Sequence, residues 1–129
     1  MNVTGIDLVE IKRIEKSLKN PRFLKRIYSE SELSWYADGN IPPQSAAGAF
    51  AAKEAFLKAL GVGIFDIPLC EISVMHRPSG APYFSLSGKA ESLASTRGLS
   101  DIALSITHTD RYAAAVVFAS IEKSDNLSD

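Results

Sequence analysis

A single cysteine, Cys70, excludes a disulfide framework and a cysteine-rich zinc site, and it fits a reducing compartment in which Cys70 is an ordinary buried thiol. No apolar run approaches the roughly 18 residues a membrane span needs, and the amino terminus reaches Asp7 without the basic stretch and apolar core of a secretory signal. The expectation is a cytoplasmic protein. The only histidines are His76 and His108, and no His-x-x-x-His, P-loop, Gly-x-Gly-x-x-Gly or Gly-x-Ser-x-Gly occurs. The common zinc hydrolase, NTPase, dinucleotide and serine hydrolase readings therefore fall away. Repeats, low-complexity linkers and a second domain are also missing, so the 129 residues, 46% of them hydrophobic, are read as one domain with a polar tail over 122–129 that frays.

Charge is nearly balanced overall at −1, but its distribution is not. Between Lys12 and Arg26 stand seven basic residues, Lys12, Arg13, Lys16, Lys19, Arg22, Lys25 and Arg26, against one acid, Glu15, a local excess of +6. Such a lump reads either as a docking surface for an acidic partner or as a solvated helix face. Nucleic acid is disfavoured, because Phe23 is the only aromatic in the window and stacking platforms for single strands need more.

The periodicity predicts an α+β chain. Val3 to Asp7 reads as a short strand ending at Asp7, followed by a helix with a Val9, Ile11, Ile14, Leu18 stripe. Pro21 opens a short helix, and Ser29 with Glu32 forms a capping box for a helix over Glu30–Ala37 that packs Leu33 and Tyr36 inward. An alanine-rich helix from Gln44 to Leu60 stops at Gly61. Then come a hairpin, Leu69–Arg77 with Pro82–Leu86, a helix over Gly88–Arg97 capped by Ser87, an alternating strand through Ile102, Leu104 and Ile106, and a continuous apolar strand from Tyr112 to Ala119.

On the alanine-rich helix, Glu54 and Lys58 stand four apart, on one face with touching side chains. They either neutralise each other or present a metal ligand and a phosphate clamp side by side. Asp7, at a strand end where sites are often built, adds a second acid, although an aspartate there also reads as a helix N-cap. Two acids and a lysine suggest a divalent cation holding a phosphorylated ligand; local physics permits that site without requiring it. His108, flanked by Thr107 and Thr109 at the end of its strand, reads as a structural histidine or as a phosphate contact.

Three blocks, in order, carry a resemblance: Gly5-Ile6-Asp7-Leu8-Val9-Glu10-Ile11, Phe50-Ala51-Ala52-Lys53-Glu54-Ala55-Phe56 with Lys58 and Gly61, and Ser105-Ile106-Thr107-His108-Thr109. With Arg22-Phe23, Ser31-Glu32-Leu33, Gly80 and Pro82-Tyr83, the chain resembles the bacterial holo-acyl-carrier-protein synthases, the short-chain branch of the 4'-phosphopantetheinyl transferases. That resemblance implies a small antiparallel sheet wrapped around a long helix, assembled as a homotrimer with each active site at a subunit boundary. It implies magnesium-dependent transfer of 4'-phosphopantetheine from coenzyme A to a serine of apo acyl carrier protein, releasing adenosine 3',5'-bisphosphate and supporting fatty acid biosynthesis. Residue by residue it implies Asp7 and Glu54 as magnesium ligands and Lys58 as the phosphate-neutralising base of the catalytic set. His108 and Thr109 match nucleotide and phosphate contacts, and Gly61 and Pro82 match the coenzyme A pocket. The basic run, with Arg13, Lys16, Arg22 and Lys25, becomes the face for an acidic acyl carrier protein.

For the base that takes the serine proton, Glu54, a water at the cation and Glu10 stay open. The chain departs from many relatives at Gly48-Ala49-Phe50, where they read Gly-Arg-Phe; Arg77 and Arg111 are the candidates to replace that guanidinium. Two other readings use the same residues: a basic binding module with Glu54 and Lys58 as a plain structural pair, and a metal-dependent phosphohydrolase with water as acceptor.

Overall fold

The computed structural model describes residues 1–122; of the tail expected to fray, 123–129 lie outside the described residues. In chain order the elements are β1 (Asn2–Glu10), α1 (Ile11–Ser17), α2 (Pro21–Ile27), α3 (Glu30–Leu33), α4 (Pro43–Leu60), β2 (Ile72–His76), β3 (Pro82–Leu86), α5 (Gly88–Thr96), β4 (Ser100–His108) and β5 (Tyr112–Ser120). Strands β1, β5 and β4 form one antiparallel sheet in that order, and β2 with β3 forms a separate hairpin. This is the expected α+β class, with α4 at its centre.

Helix α4 explains the architecture. Pro43 sits in its first turn, where a missing N–H costs nothing, and Gly61 ends it at φ 66°, a left-handed conformation natural to glycine. Twelve of its eighteen residues are buried, on every side, as expected for a helix that is the core and not a lid over it. Its alanines face a second run of small residues, Ala113, Ala115 and Ala119 on β5, so helix and sheet approach closely. At Gly5 the approach is closest: a Cβ there would collide with the main-chain oxygen of Ala55, so only glycine fits. A Cβ on Gly48 would stand 2.8 Å from Ile106 Cγ2 of β4. The stripe left open on the C-terminal half of α4 carries half-buried Glu54 and exposed Lys58.

Several expectations are corrected. Asp7 is neither at a strand end nor a helix cap: β1 runs three residues further, to Glu10, and Asp7 pairs in register with Ala115 mid-strand. Val9 consequently belongs to the strand, and the helix begins at Ile11. The capping box at Ser29 is present, with Glu32 Oε1 accepting from Ser29 N at 2.9 Å, but α3 is only four residues long and Leu33 and Tyr36 are half-buried. Strand β2 starts at Ile72 after a 3-10 turn, Leu69–Glu71. Ser87 makes no capping bond to α5; instead the Glu71 carboxylate accepts from Lys89 N at 2.7 Å and Ala90 N at 3.3 Å. Cys70 is half-buried.

Strand β5 alternates despite its continuous apolar sequence. Ala113, Ala115, Val117 and Ala119 are buried, while Val116 and Phe118 are 40% and 49% exposed. Beside them on β1, Ile6 and Leu8 are 67% and 64% exposed. The outer face of the sheet thus exposes a cluster of apolar side chains.

Candidate active site

The face of β1 turned to α4 carries Val3, Gly5, Asp7 and Val9. Because Gly5 lets the helix come close, Asp7 meets the C-terminal half of α4. Lys58 Nζ donates to Asp7 Oδ1 at 2.8 Å and to the Ile6 carbonyl at 3.2 Å. Lys58 therefore pairs across the strand–helix contact with Asp7, and not along the helix with Glu54 as the four-residue spacing suggested. The competition is physical: an aspartate has one side-chain torsion fewer to order in pairing than a glutamate on the same helix. The Asp7 side chain is 13% exposed and that of Lys58 56%, so the cation lies at the rim and the acid beneath it.

Glu54 completes the cluster. Burial pushes its carboxyl pKa up, the Asp7 charge pushes it further, and Lys58 and Arg13 oppose both. Lys58 is raised, chiefly by its hydrogen bond to Asp7. Two hard oxygen donors close enough for the Asp7 charge to be felt at Glu54, with the one lysine paired to Asp7, leave negative charge that a divalent cation would relieve, so the donor set fits magnesium. Among the described residues no group of three or more His, Cys, Asp or Glu side chains gathers as a metal site. Two carboxylates suffice for a magnesium that completes its shell from water and substrate phosphate.

A carboxyl whose folded pKa lies above its unfolded value destabilises the fold increasingly as pH rises from the unfolded pKa through the folded one. Above the unfolded carboxyl pKa the metal-free protein carries that cost, which grows until the folded pKa is passed. Glu54→Gln is expected to raise the melting temperature of the metal-free protein and to abolish the rise that magnesium gives the wild type; thermal scans with and without magnesium check both.

The other expected contacts do not join this cluster within one chain. His108 and Pro82 line a cavity of about 190 Å³ together with Gln44, Ala49, His76 and Gly80. Ala49 and Lys58 are nine residues apart, about two and a half turns and roughly 13 Å along α4, which puts them on opposite sides of the helix. Gly61 follows Lys58, at the acid end. Thr109 is committed to its turn: its Oγ1 accepts from Arg111 N at 3.2 Å and Tyr112 N at 3.1 Å. His108 Nδ1 lies 3.2 Å from the Thr109 carbonyl. Neither candidate replacement for an arginine at position 49 lines that cavity: Arg77 stacks on Tyr83 at 4.8 Å, and Arg111 lies with Glu10 and Lys12 at the far end of β1. His76, given no role by the sequence, stacks on Trp35 at 4.8 Å with its Nδ1 buried and unpartnered. Burial draws its pKa down.

The basic run divides. Arg13 stands with its guanidinium 5.9 Å from the Phe50 ring centre, near enough for its charge to be felt at Glu54. Arg22, Lys25 and Arg26 line a broad groove of about 880 Å³ whose other wall is Ile64–Cys70 and whose floor is Phe50. Phe65, 93% exposed, stands on that wall. Sequence reasoning does not pick out Phe65 and Phe50 as groove residues; a phenylalanine shortly after a helix-ending glycine is the available signal.

Lys53 and Glu32 also escape it as a pair. Lys53 has no exposed surface, and its Nζ reaches Glu32 Oε1 at 2.6 Å.

Two acids and a lysine thus stand where a strand meets a central helix, and the same helix contributes Phe50 to a basic, partly apolar groove. The sequence pattern of the 4'-phosphopantetheinyl transferase superfamily matches residues 4–117, and the chain belongs to that superfamily, among the holo-acyl-carrier-protein synthases. It is 44% identical over 117 residues to the holo-[acyl-carrier-protein] synthase of Syntrophus aciditrophicus (strain SB), covering 88% of this chain and 91% of the relative. The structure of the Helicobacter pylori holo-[acyl-carrier-protein] synthase in complex with coenzyme A is 38% identical, with a TM-score of 0.79, covering 91% of this chain and 99% of that one. The Neisseria meningitidis holo-[acyl-carrier-protein] synthase superposes with a TM-score of 0.82 at 31% identity, over 92% and 97% of the two chains.

Proposed function

We propose that the chain transfers 4'-phosphopantetheine from coenzyme A to a serine hydroxyl of apo acyl carrier protein at the Asp7, Glu54 and Lys58 cluster, with magnesium, releasing adenosine 3',5'-bisphosphate. The observation that carries this reading is the convergence of Asp7 and Glu54, from separate elements, beneath an exposed lysine. Asp7 and Glu54 would hold the magnesium, which when bound supplies the positive charge that lets a nucleophile approach an anionic pyrophosphate. Lys58, at the rim and raised in pKa, keeps its charge and turns from Asp7 to the pyrophosphate. The serine Oγ–P bond forms as the bond to the bridging oxygen breaks, and the leaving oxygen departs with the nucleotide. Glu54 is the better-placed carboxylate to take the serine proton, since Glu10 is on the opposite face of β1, beside Lys12 and Arg111.

The separation of His108 and Pro82 from Lys58 supports a site completed by a second copy of the chain, and the open apolar face around Ile6, Leu8, Val116 and Phe118 supports the trimer that would supply it. In that assembly His108 and Thr109 reach the nucleotide of a coenzyme A whose pyrophosphate lies at a neighbour's Lys58. Among the described residues no helix is long and apolar enough to cross a membrane.

The groove of Arg22, Lys25, Phe50 and Phe65 is the docking face for the acidic carrier. Reversing Arg22 and Lys25 to glutamate is expected to raise the KM for apo carrier protein roughly tenfold and to leave that for coenzyme A unchanged. Arg13 is unsuited to this test, since it also faces Glu54. The reaction itself is tested by mass spectrometry: an apo carrier protein mixed with the enzyme, coenzyme A and magnesium gains one phosphopantetheine. Release of phosphopantetheine without carrier would instead mark a hydrolase.

A further inference from the structure

The two walls of the docking groove, α2 and the Ile64–Cys70 stretch, are about forty residues apart in sequence, and one buried ammonium joins them. Lys53 Nζ donates to the Ile27 carbonyl at 2.6 Å, to the Leu69 carbonyl at 3.0 Å and to Glu32 Oε1 at 2.6 Å. An ammonium has three protons, so its donors are fully used: one on each wall of the groove and one on the counter-charge. Glu32 is fixed in turn, accepting from Ser29 N at 2.9 Å and from Val74 N, on Oε2, at 3.1 Å. Lys53 also lies 5.4 Å from the Tyr28 ring centre, and the Tyr28 hydroxyl donates to the Ala46 carbonyl at 2.7 Å, tying the end of α2 back onto α4.

Stability alone does not require this device. A buried ion pair is often matched or bettered by apolar side chains of similar volume, because the desolvation of two charges offsets their attraction. What an apolar pair lacks is a donor for two carbonyls on opposite walls. Lys53 is also the residue immediately before Glu54 on α4, so the same helical turn that presents the acid to the phosphate site sends the ammonium under the groove. We infer that Lys53, oriented by Glu32, is a positioning residue: it sets the spacing of the groove walls and so places the docked carrier serine relative to Glu54. This rests on the reading of the groove as the carrier-docking face.

The test uses the full chain with Lys53→Met and Glu32→Gln together, which leaves no buried charge unpaired and keeps a side-chain oxygen for Ser29 N. The KM for apo carrier protein is expected to rise roughly fivefold or more, with that for coenzyme A within about twofold of wild type. An unchanged carrier KM in the folded double variant, or equal changes for both substrates, overturns the inference. Lys53→Arg keeps the charge but replaces the three-pointed donor by a planar fork, and it decides by the same criteria should the double variant fail to fold. The Arg22 and Lys25 reversals separate the two readings. If they leave the carrier KM unchanged, the groove reading falls and this inference with it; if they raise it and the Lys53 variants do not, the positioning role alone falls.

Discussion

Glu54→Ala is expected to lower transfer by about a thousandfold while the protein stays folded. Glu54 is half-buried, and its raised pKa records that its charge is an expense to the fold, through burial and the nearness of Asp7. Removing it therefore relieves the structure and disables the site. Asp7→Ala is expected to match that loss, since it deletes the other oxygen donor and frees Lys58 from its 2.8 Å partner. Groups that act as one unit do not add, so the double variant should fall little further than either single one. Single-turnover transfer, read beside circular dichroism, checks the pair; substantial activity in either single variant would remove the shared role.

Glu32→Ala is expected to cost about 3–5 kcal/mol of stability, the usual penalty for stranding one member of a buried pair. Its removal leaves the Lys53 ammonium, already drawn down in pKa by burial, without a counter-charge, and the N–H groups of Ser29 and Val74 without an acceptor. Domains of this size are commonly stable by only about 5–15 kcal/mol, so this one change removes a large share. Urea unfolding of wild type and variant measures it. A loss under about 1 kcal/mol would mean that the interior re-solvates Lys53, contrary to its fully enclosed geometry.

Much of this molecule is legible in its sequence where local chemistry decides. Pro43 and Gly61 bracket α4 as their backbone preferences require, and Ser29 with Glu32 forms its capping box. Asp7, Glu54 and Lys58 stand out in the sequence; Asp7 and Lys58 pair, and Glu54 is near enough to feel both charges. What is not legible is whatever depends on a distant partner. Four-residue spacing gives Lys58 to Glu54, but a strand 51 residues away supplies Asp7. Ser87 looks like a cap, but Glu71 takes the task from outside the helix. The end of β1 is hidden because both of its faces are apolar: Val9 turns to the core and Leu8 to the open face, so no alternation marks the strand. Lys53 and Glu32 escape notice for a similar reason, each already having a local explanation, as a charged helix residue and as a capping acid.

Fold and site are linked through one small residue. With no Cβ at position 5, β1 lies against the Ala55 carbonyl, and that approach lets Asp7 reach Lys58 one turn of α4 away. The alanines of α4 and β5 extend the same close packing over the rest of the interface, so the acid cluster is placed by two rigid elements and not by loops.

Asp7 and Glu54 are expected to hold one cation jointly. Calorimetric titration of magnesium into the coenzyme A complex of wild type, Asp7→Asn and Glu54→Gln tests it most directly. One magnesium per chain in the wild type, lost alike in both variants, is the expected result; undiminished binding in either variant would contradict it.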